Sequence, residues 1–203
     1  QVERMRARGA GMLSDLASGW DTLRGLLAAE RIRFLEPDDW SAAARQHLAD
    51  LFTREIRPVL TPLAFDPGHP FPYISNLSKN FAVVVRHAGQ TKFARVKIPD
   101  FLPRFIQLPE SIADPGAIVL VFLEDVIRAG IHELFPGTQL RGVHLFRVIR
   151  DADLDIAQVE ADDLLETVDR SLRQLRHGAV TLLQVGTDMP PRILDILVEN
   201  FEA

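Results

Sequence analysis

Apolar positions recur at helical spacing from the first residues onward. Val2, Met5, Met12, Leu16, Trp20, Leu23 and Leu27 stand three, four or seven apart, while Arg4, Arg6, Arg8, Asp15, Asp21 and Arg24 fall off that stripe. The pattern predicts one long helix with a single apolar face, and such a face needs a packing partner. After Glu36-Pro37 a second helix is predicted, capped by Asp38 or Asp39 and carrying Trp40, Ala44, Leu48, Leu51 and Phe52 before Pro58 ends it. The two read as a helical hairpin. A hairpin alone rarely buries enough to stand in water, so earlier helices are expected to precede Gln1.

The pattern changes at Arg57. Five prolines between Arg57 and Tyr73 (Pro58, Pro62, Pro67, Pro70, Pro72) forbid a helix and predict a stiff extended connector. Residues 81–87, with Ala82-Val83-Val84-Val85, read as a strand buried on both faces or nearly so. Ala88-Gly89-Gln90 is a hairpin turn, and 93–98 then alternates: Ala94, Val96 and Ile98 on one face, Phe93, Arg95 and Lys97 on the other. Further strands are predicted at 118–123, 143–150 and 180–185. Helices are predicted at 124–135, at 162–177 with an acidic start and a basic end before Gly178, and from Pro190-Pro191 through Phe201. The fold class is α+β. An N-terminal helical hairpin, part of a helical bundle, occupies 1–56, and an α+β domain with a mixed sheet occupies 57–203.

Composition narrows the function classes. The 203 residues are 47% hydrophobic and 25% charged, ordinary for a globular chain. No apolar run is long enough for a membrane span. Cysteine is absent, which removes disulfides, thiol nucleophiles and thiolate metal sites and fits a reducing compartment. A net charge of −5 argues against a nucleic-acid partner. Of the 23 basic residues only Lys79, Lys92 and Lys97 are lysines, a bias that reads first as the mark of a GC-rich genome and alternatively as a demand for guanidinium forks that suit phosphate.

The catalytic inventory is thin. There is no glycine-rich phosphate loop, no H-E-x-x-H and no G-x-S-x-G, and the six histidines show no metal-ligand spacing. His69, fixed in Asp66-Pro67-Gly68-His69-Pro70-Phe71-Pro72, reads as an anchor of the connector through its ring. Arg95 and Lys97, on one strand face, are candidate phosphate contacts, and a merely solvated sheet face is the alternative. Arg147 and Arg150 are also candidates, but they lie on opposite faces of one strand. Asn76 and Asn80, beside Ser75 and Ser78, read as turn and strand-start residues.

Several runs carry a resemblance. Arg57-Pro58-Val59-Leu60-Thr61-Pro62-Leu63-Ala64, then Asp66-Pro67, His69-Pro70-Phe71-Pro72 and Ile74-Ser75-Asn76-Leu77-Ser78 follow in order. So do Phe93-Ala94-Arg95-Val96-Lys97-Ile98-Pro99, Leu102-Pro103-Arg104-Phe105, Leu134-Phe135-Pro136-Gly137 and Phe146-Arg147-Val148-Ile149-Arg150-Asp151-Ala152-Asp153-Leu154. Together they resemble the bacterial polyphosphate kinase family that makes long-chain polyphosphate. Lys79, where the family usually has an apolar residue, and the Ile149-Arg150-Asp151 run are its minor departures.

The resemblance implies an enzyme with a helical N-terminal domain, a middle head domain and two C-terminal domains. It reversibly transfers the terminal phosphate of ATP to polyphosphate through a phosphohistidine, with Mg2+, in a tunnel. It aligns 1–56 with the end of the N-terminal domain and 57–203 with the head domain. The phosphohistidine, the metal-coordinating arginines and most of the nucleotide pocket then belong to C-terminal domains beyond this chain, so no catalytic or metal residue is assigned here. ATP and Mg2+ serve the whole enzyme, with none bound by this segment. The implied partners are the missing domains, polyphosphate and a second copy, in a cytoplasmic homo-oligomer whose head domain makes dimer contacts and closes the tunnel. A free-standing polyanion-binding module and a phosphohydrolase centred on His69 are the alternatives. If the chain was cut from such an enzyme, the stripe on the first helix and the helix at 193–201 are both expected to be bare.

Overall fold

The first apolar stripe folds as a single helix, α1 (Val2–Ala29). This computed structural model describes residues 2–65, 71–151 and 178–201; the helix expected at 162–177 and the loop carrying His69 lie outside them. By packing, the chain divides into two compact units. One joins Gln1–Glu55 with Leu102–Gly130, and the other joins Ile56–Phe101 with Ile131–Ala203.

In the first unit α1 does not turn directly into the next helix. Arg31, at φ 63°, redirects the chain into strand β1 (Ile32–Phe34). This strand runs parallel to the central strand Ile118–Phe122, whose other edge pairs antiparallel with Phe105–Gln107. The two flanking strands have three residues each, too few for a period of two to mark them. Trp20 packs edge-on to Phe34 and Phe122 with ring centroids 5.0 and 6.1 Å away, and Phe105 joins that cluster. Earlier turns of α1 find no such cover. Met5, Met12 and Leu16 are 67%, 60% and 68% exposed, whereas Trp20, expected to be bare with them, packs on that ring cluster.

The second helix, α2 (Ala42–Leu51), buries Ala44 and Leu48. Its cap is Ser41, whose Oγ accepts the Ala44 N–H at 3.1 Å, rather than Asp38 or Asp39, which are used in a 3-10 turn. The helix predicted at 124–135 is α3 (Leu123–Gly130), followed by a 3-10 turn, Ile131–Leu134. α3 packs on α2 within this unit.

The second unit is a five-stranded antiparallel sheet. Its strands in chain order are β2 (Pro62–Phe65), β3 (Lys79–His87), β4 (Gln90–Lys97), β7 (Gln139–Arg150) and β8 (Val180–Val185), where β5 and β6 denote Phe105–Gln107 and Ile118–Phe122 of the first unit. Their spatial order is β2-β4-β3-β7-β8. Part of the proline-rich connector is therefore not a linker but an edge strand, with Pro62 at its first position, where a missing donor is tolerated. One face of the sheet is closed by α4 (Pro191–Phe201), whose Ile193 and Leu197 pack with Ala82, Phe93, Phe146 and Val148. The expectation that this helix would be bare is thus corrected: Leu197 is fully buried, because its apolar face has the sheet to cover it.

The β3–β4 turn is two residues long, with Ala88 at φ 48° and Gly89 at φ 81°. Both positions of this turn require positive φ, which glycine adopts freely and alanine does not. Ala88→Asn is expected to raise stability by about 0.5–1 kcal/mol, since Asn tolerates that conformation. Urea denaturation of the two proteins checks it, and an unchanged midpoint refutes it.

Candidate functional site

The four cations read as phosphate contacts do not converge. Arg95 and Lys97 do share a face of β4, opposite Ala82 and Asn80 of β3. Arg147 lies on the other face, where its Nε donates to Gln184 Oε1 across the β7–β8 pair at 2.8 Å. Arg150 returns to the Arg95 face, but Phe146 is the β7 residue in register with Asn80, and residues 146 to 150 span ~13 Å of strand.

Each cation has different work. Arg150 is a cross-link: its Nε donates to the Ile74 carbonyl and its Nη1 to the Gly178 carbonyl, both at 2.8 Å. Its guanidinium also stacks 4.7 Å over the Tyr73 ring, and its backbone N–H donates to Asn76 Oδ1. Lys97 pairs with Asp100 at 3.0 Å on the surface. Arg95 is buried, only 8% exposed, and its Nε donates to Asn80 Oδ1 at 2.7 Å. The face it shares with Phe93 is not solvated, because that face carries the core beneath α4.

Asn80 is the centre of a buried polar relay. Its amide donates to the carbonyl and the hydroxyl of Ser78, both at 3.0 Å, and the Ser78 hydroxyl donates to the Ser75 carbonyl. Asn80 has no exposed surface, so each of these bonds takes the place of water. Burial pushes the Arg95 pKa down from its ordinary value. In the first unit, burial raises the Asp125 carboxyl, with Glu36 and Glu124 adding to the rise and Arg128 opposing it. Among the described residues, no three His, Cys, Asp or Glu side chains come together as a candidate metal site. No described helix is long and apolar enough to cross a membrane.

The relay was not visible as such in the sequence, where Asn80 and Arg95 stood apart as a strand-start residue and a phosphate candidate. The two-residue turn at Ala88-Gly89 fixes the hairpin register, and that register puts them diagonally opposite on one face.

A family model described as the polyphosphate kinase middle domain matches residues 43–203. The chain belongs to the polyphosphate kinase family. It is 45% identical to a polyphosphate kinase of Synechocystis over 88% of its length, and 38% identical to polyphosphate kinase 1 of Chlorobaculum tepidum over 99%. It spans only about a quarter of those polyphosphate kinases, 26% and 28% respectively. The crystal structure of polyphosphate kinase from Porphyromonas gingivalis shares the fold, with a TM-score of 0.69 at 23% identity, covering 91% of this chain and 26% of that one. The α+β architecture agrees with it.

Proposed function

We propose that the chain is a non-catalytic segment of an ATP-dependent polyphosphate kinase that reversibly transfers the terminal phosphate of ATP to polyphosphate. The match to the middle domain of that family, over a quarter of its relatives' length, carries this reading. Residues 1–56 are assigned to the helical N-terminal domain and 57–203 to the head domain. The nucleophile, ATP and Mg2+ are assigned to the remaining domains of a cytoplasmic enzyme. The thin catalytic inventory supports that division, because phosphoryl transfer needs positioned cations and a nucleophile at one point. His69 is assigned as an anchor of its proline-rich loop rather than a phosphoryl acceptor.

Polyphosphate is the proposed partner. Arg150 is assigned to the fold, since its Nε and Nη1 donate to protein carbonyls, and Arg95, Lys97 and Arg147 keep the phosphate reading. The bare face of α1, where Met12, Leu16, Gly19 and Leu23 flank a shallow apolar groove with Trp20, supports contact with the rest of the enzyme or with a second copy.

Incubation with labelled ATP and magnesium tests the reading. The enzyme that contains this chain should form acid-insoluble polyphosphate, and the 203-residue chain alone should form none. Transfer by the chain alone, or none by the whole enzyme, overturns it.

A further inference from the structure

The two edges of the five-stranded sheet are built differently. β2 is four residues long and opens on Pro62, which shortens and blunts that edge. β8, at the other edge, has neither device: Val180-Thr181-Leu182-Leu183-Gln184-Val185 contains no proline and no charge. A bulge between Ile149 and Arg150 of the β7–β8 register disturbs its start, and from Leu182 onward the pairing is regular. Along that regular stretch Leu182 is 44% exposed and Val185 37%, so apolar side chains lie bare beside the strand edge.

The register tells which backbone groups face outward. The Gly186 N–H donates to the Leu145 carbonyl at 3.1 Å. Hydrogen-bonded pairs alternate along an antiparallel ladder, so Gln184 with Arg147 and Leu182 with Ile149 turn their groups toward β7. Leu183 and Val185 therefore turn their N–H and C=O groups to the outer side of the sheet, where no described residue meets them. Gln184 stands between them. Its Oε1 accepts from Arg147 Nε, which fixes the amide, and its amino group donates to no described residue.

We propose that β8 pairs antiparallel with β8 of a second copy of this chain, about a two-fold axis at Gln184, joining two five-stranded sheets into one continuous sheet. The strand is self-complementary in that register. Leu183 of each copy lies opposite Val185 of the other, and the two exchange backbone hydrogen bonds on both sides of the axis. The same pairs set apolar side chains against each other on the face that carries α4. At the axis Gln184 meets its own counterpart, where each spare amino group reaches the other amide's oxygen. Leu182 faces Gly186, and no charge opposes another. An edge contact of this length buries little surface, so the dimer is weak and comes apart on dilution. The pairing does not depend on the kinase reading.

Sedimentation velocity of the 203-residue chain over a dilution series tests the pairing. A monomer–dimer equilibrium is expected. Val185→Pro removes an outward donor from each copy without touching the β7 ladder, and should raise the dissociation constant about tenfold with an unchanged circular dichroism spectrum. Charge at the axis gives a test that misfolding cannot imitate. Gln184→Glu and Gln184→Lys each set like charges face to face and should be monomeric alone, whereas an equimolar mixture of the two should dimerise again. Leu16→Glu, on the bare stripe of α1, should leave the equilibrium unchanged. A chain that stays monomeric throughout, a dimer that survives Val185→Pro or is lost with Leu16→Glu, or a mixture that stays monomeric overturns the pairing. Amide exchange in the whole enzyme settles the occupant: protection of Leu183 and Val185 that persists in a diluted, monomeric enzyme means another strand of that polypeptide, and overturns it too. Polyphosphate synthesis by the whole enzyme is read separately, so its absence removes the kinase reading and leaves the association results standing.

Discussion

Arg150→Ala is expected to destabilise the chain by about 3 kcal/mol, one of the two largest effects of any substitution considered. Two hydrogen bonds from a charged donor are lost, each worth about 1.5–3 kcal/mol where partly buried, together with a cation–π contact of about 1 kcal/mol. The three are not additive, because one side chain makes them all. They join three stretches distant in sequence: the lead-in to β3 at Tyr73 and Ile74, the end of β7, and Gly178 before β8. Arg150→Lys keeps a charge but reaches only one carbonyl, and should recover less than half of the loss. The bond from the Arg150 backbone to Asn76 survives both changes, so Asn76→Ala measures it separately. Urea denaturation reads all three variants, and an Arg150→Ala midpoint matching the unaltered chain contradicts the cross-link.

Gly130→Ala is expected to cost about 2 kcal/mol net. A Cβ at Gly130 would stand 2.5 Å from Cγ and 2.6 Å from Cε1 of Phe52. Phe52 is 1% exposed at the end of α2, with no room to withdraw. Overpacking of this kind costs about 1–3 kcal/mol, and the fixed ring places it at the upper end. Against it stands the helical advantage of Ala over Gly, about 1 kcal/mol. The double-mutant cycle is the sharper measurement. Phe52→Leu removes ring atoms from the collision, so Gly130→Ala should cost less in that background than alone. Equal costs in both backgrounds would show that the helix, not the ring, sets the requirement for glycine.

Long or strongly patterned elements were legible before the structure. α1, β3, β7, β8 and α4 each carry enough apolar positions for their period to show, and β8 falls on the predicted 180–185. What escaped the pattern is short or owes its form to a partner. β1 and β5 exist because β6 offers backbone groups on both sides, not because three residues prefer to be strands. β2 was hidden by its prolines, which forbid a helix but still permit an edge strand.

The candidate site was legible only as a list of cations. Alternation told which of them share a face, and it placed Arg147 and Arg150 apart correctly. It could not tell a solvated face from one closed by α4, so Arg95 and Phe93 were expected side by side without the burial that gives Arg95 its character. Burial depends on an element a hundred residues downstream, and no local period reports it.

The path of the backbone between the two units has a consequence of its own. The chain passes from one to the other at Glu55–Ile56, again at Phe101–Leu102, and a third time at Gly130–Ile131. The three-stranded sheet is consequently assembled from both sides of a long excursion, with β1 waiting for β6, whose residues pair with it 86 positions later in the Ile32–Ile118 to Phe34–Leu120 register. Such a layout is stitched rather than modular. A gene fragment that begins at residue 57 keeps β6 but discards its parallel neighbour, and one that ends at residue 56 keeps α1 and β1 with nothing to lie against. Recombination or truncation between residues 56 and 57 therefore splits the first unit between two fragments.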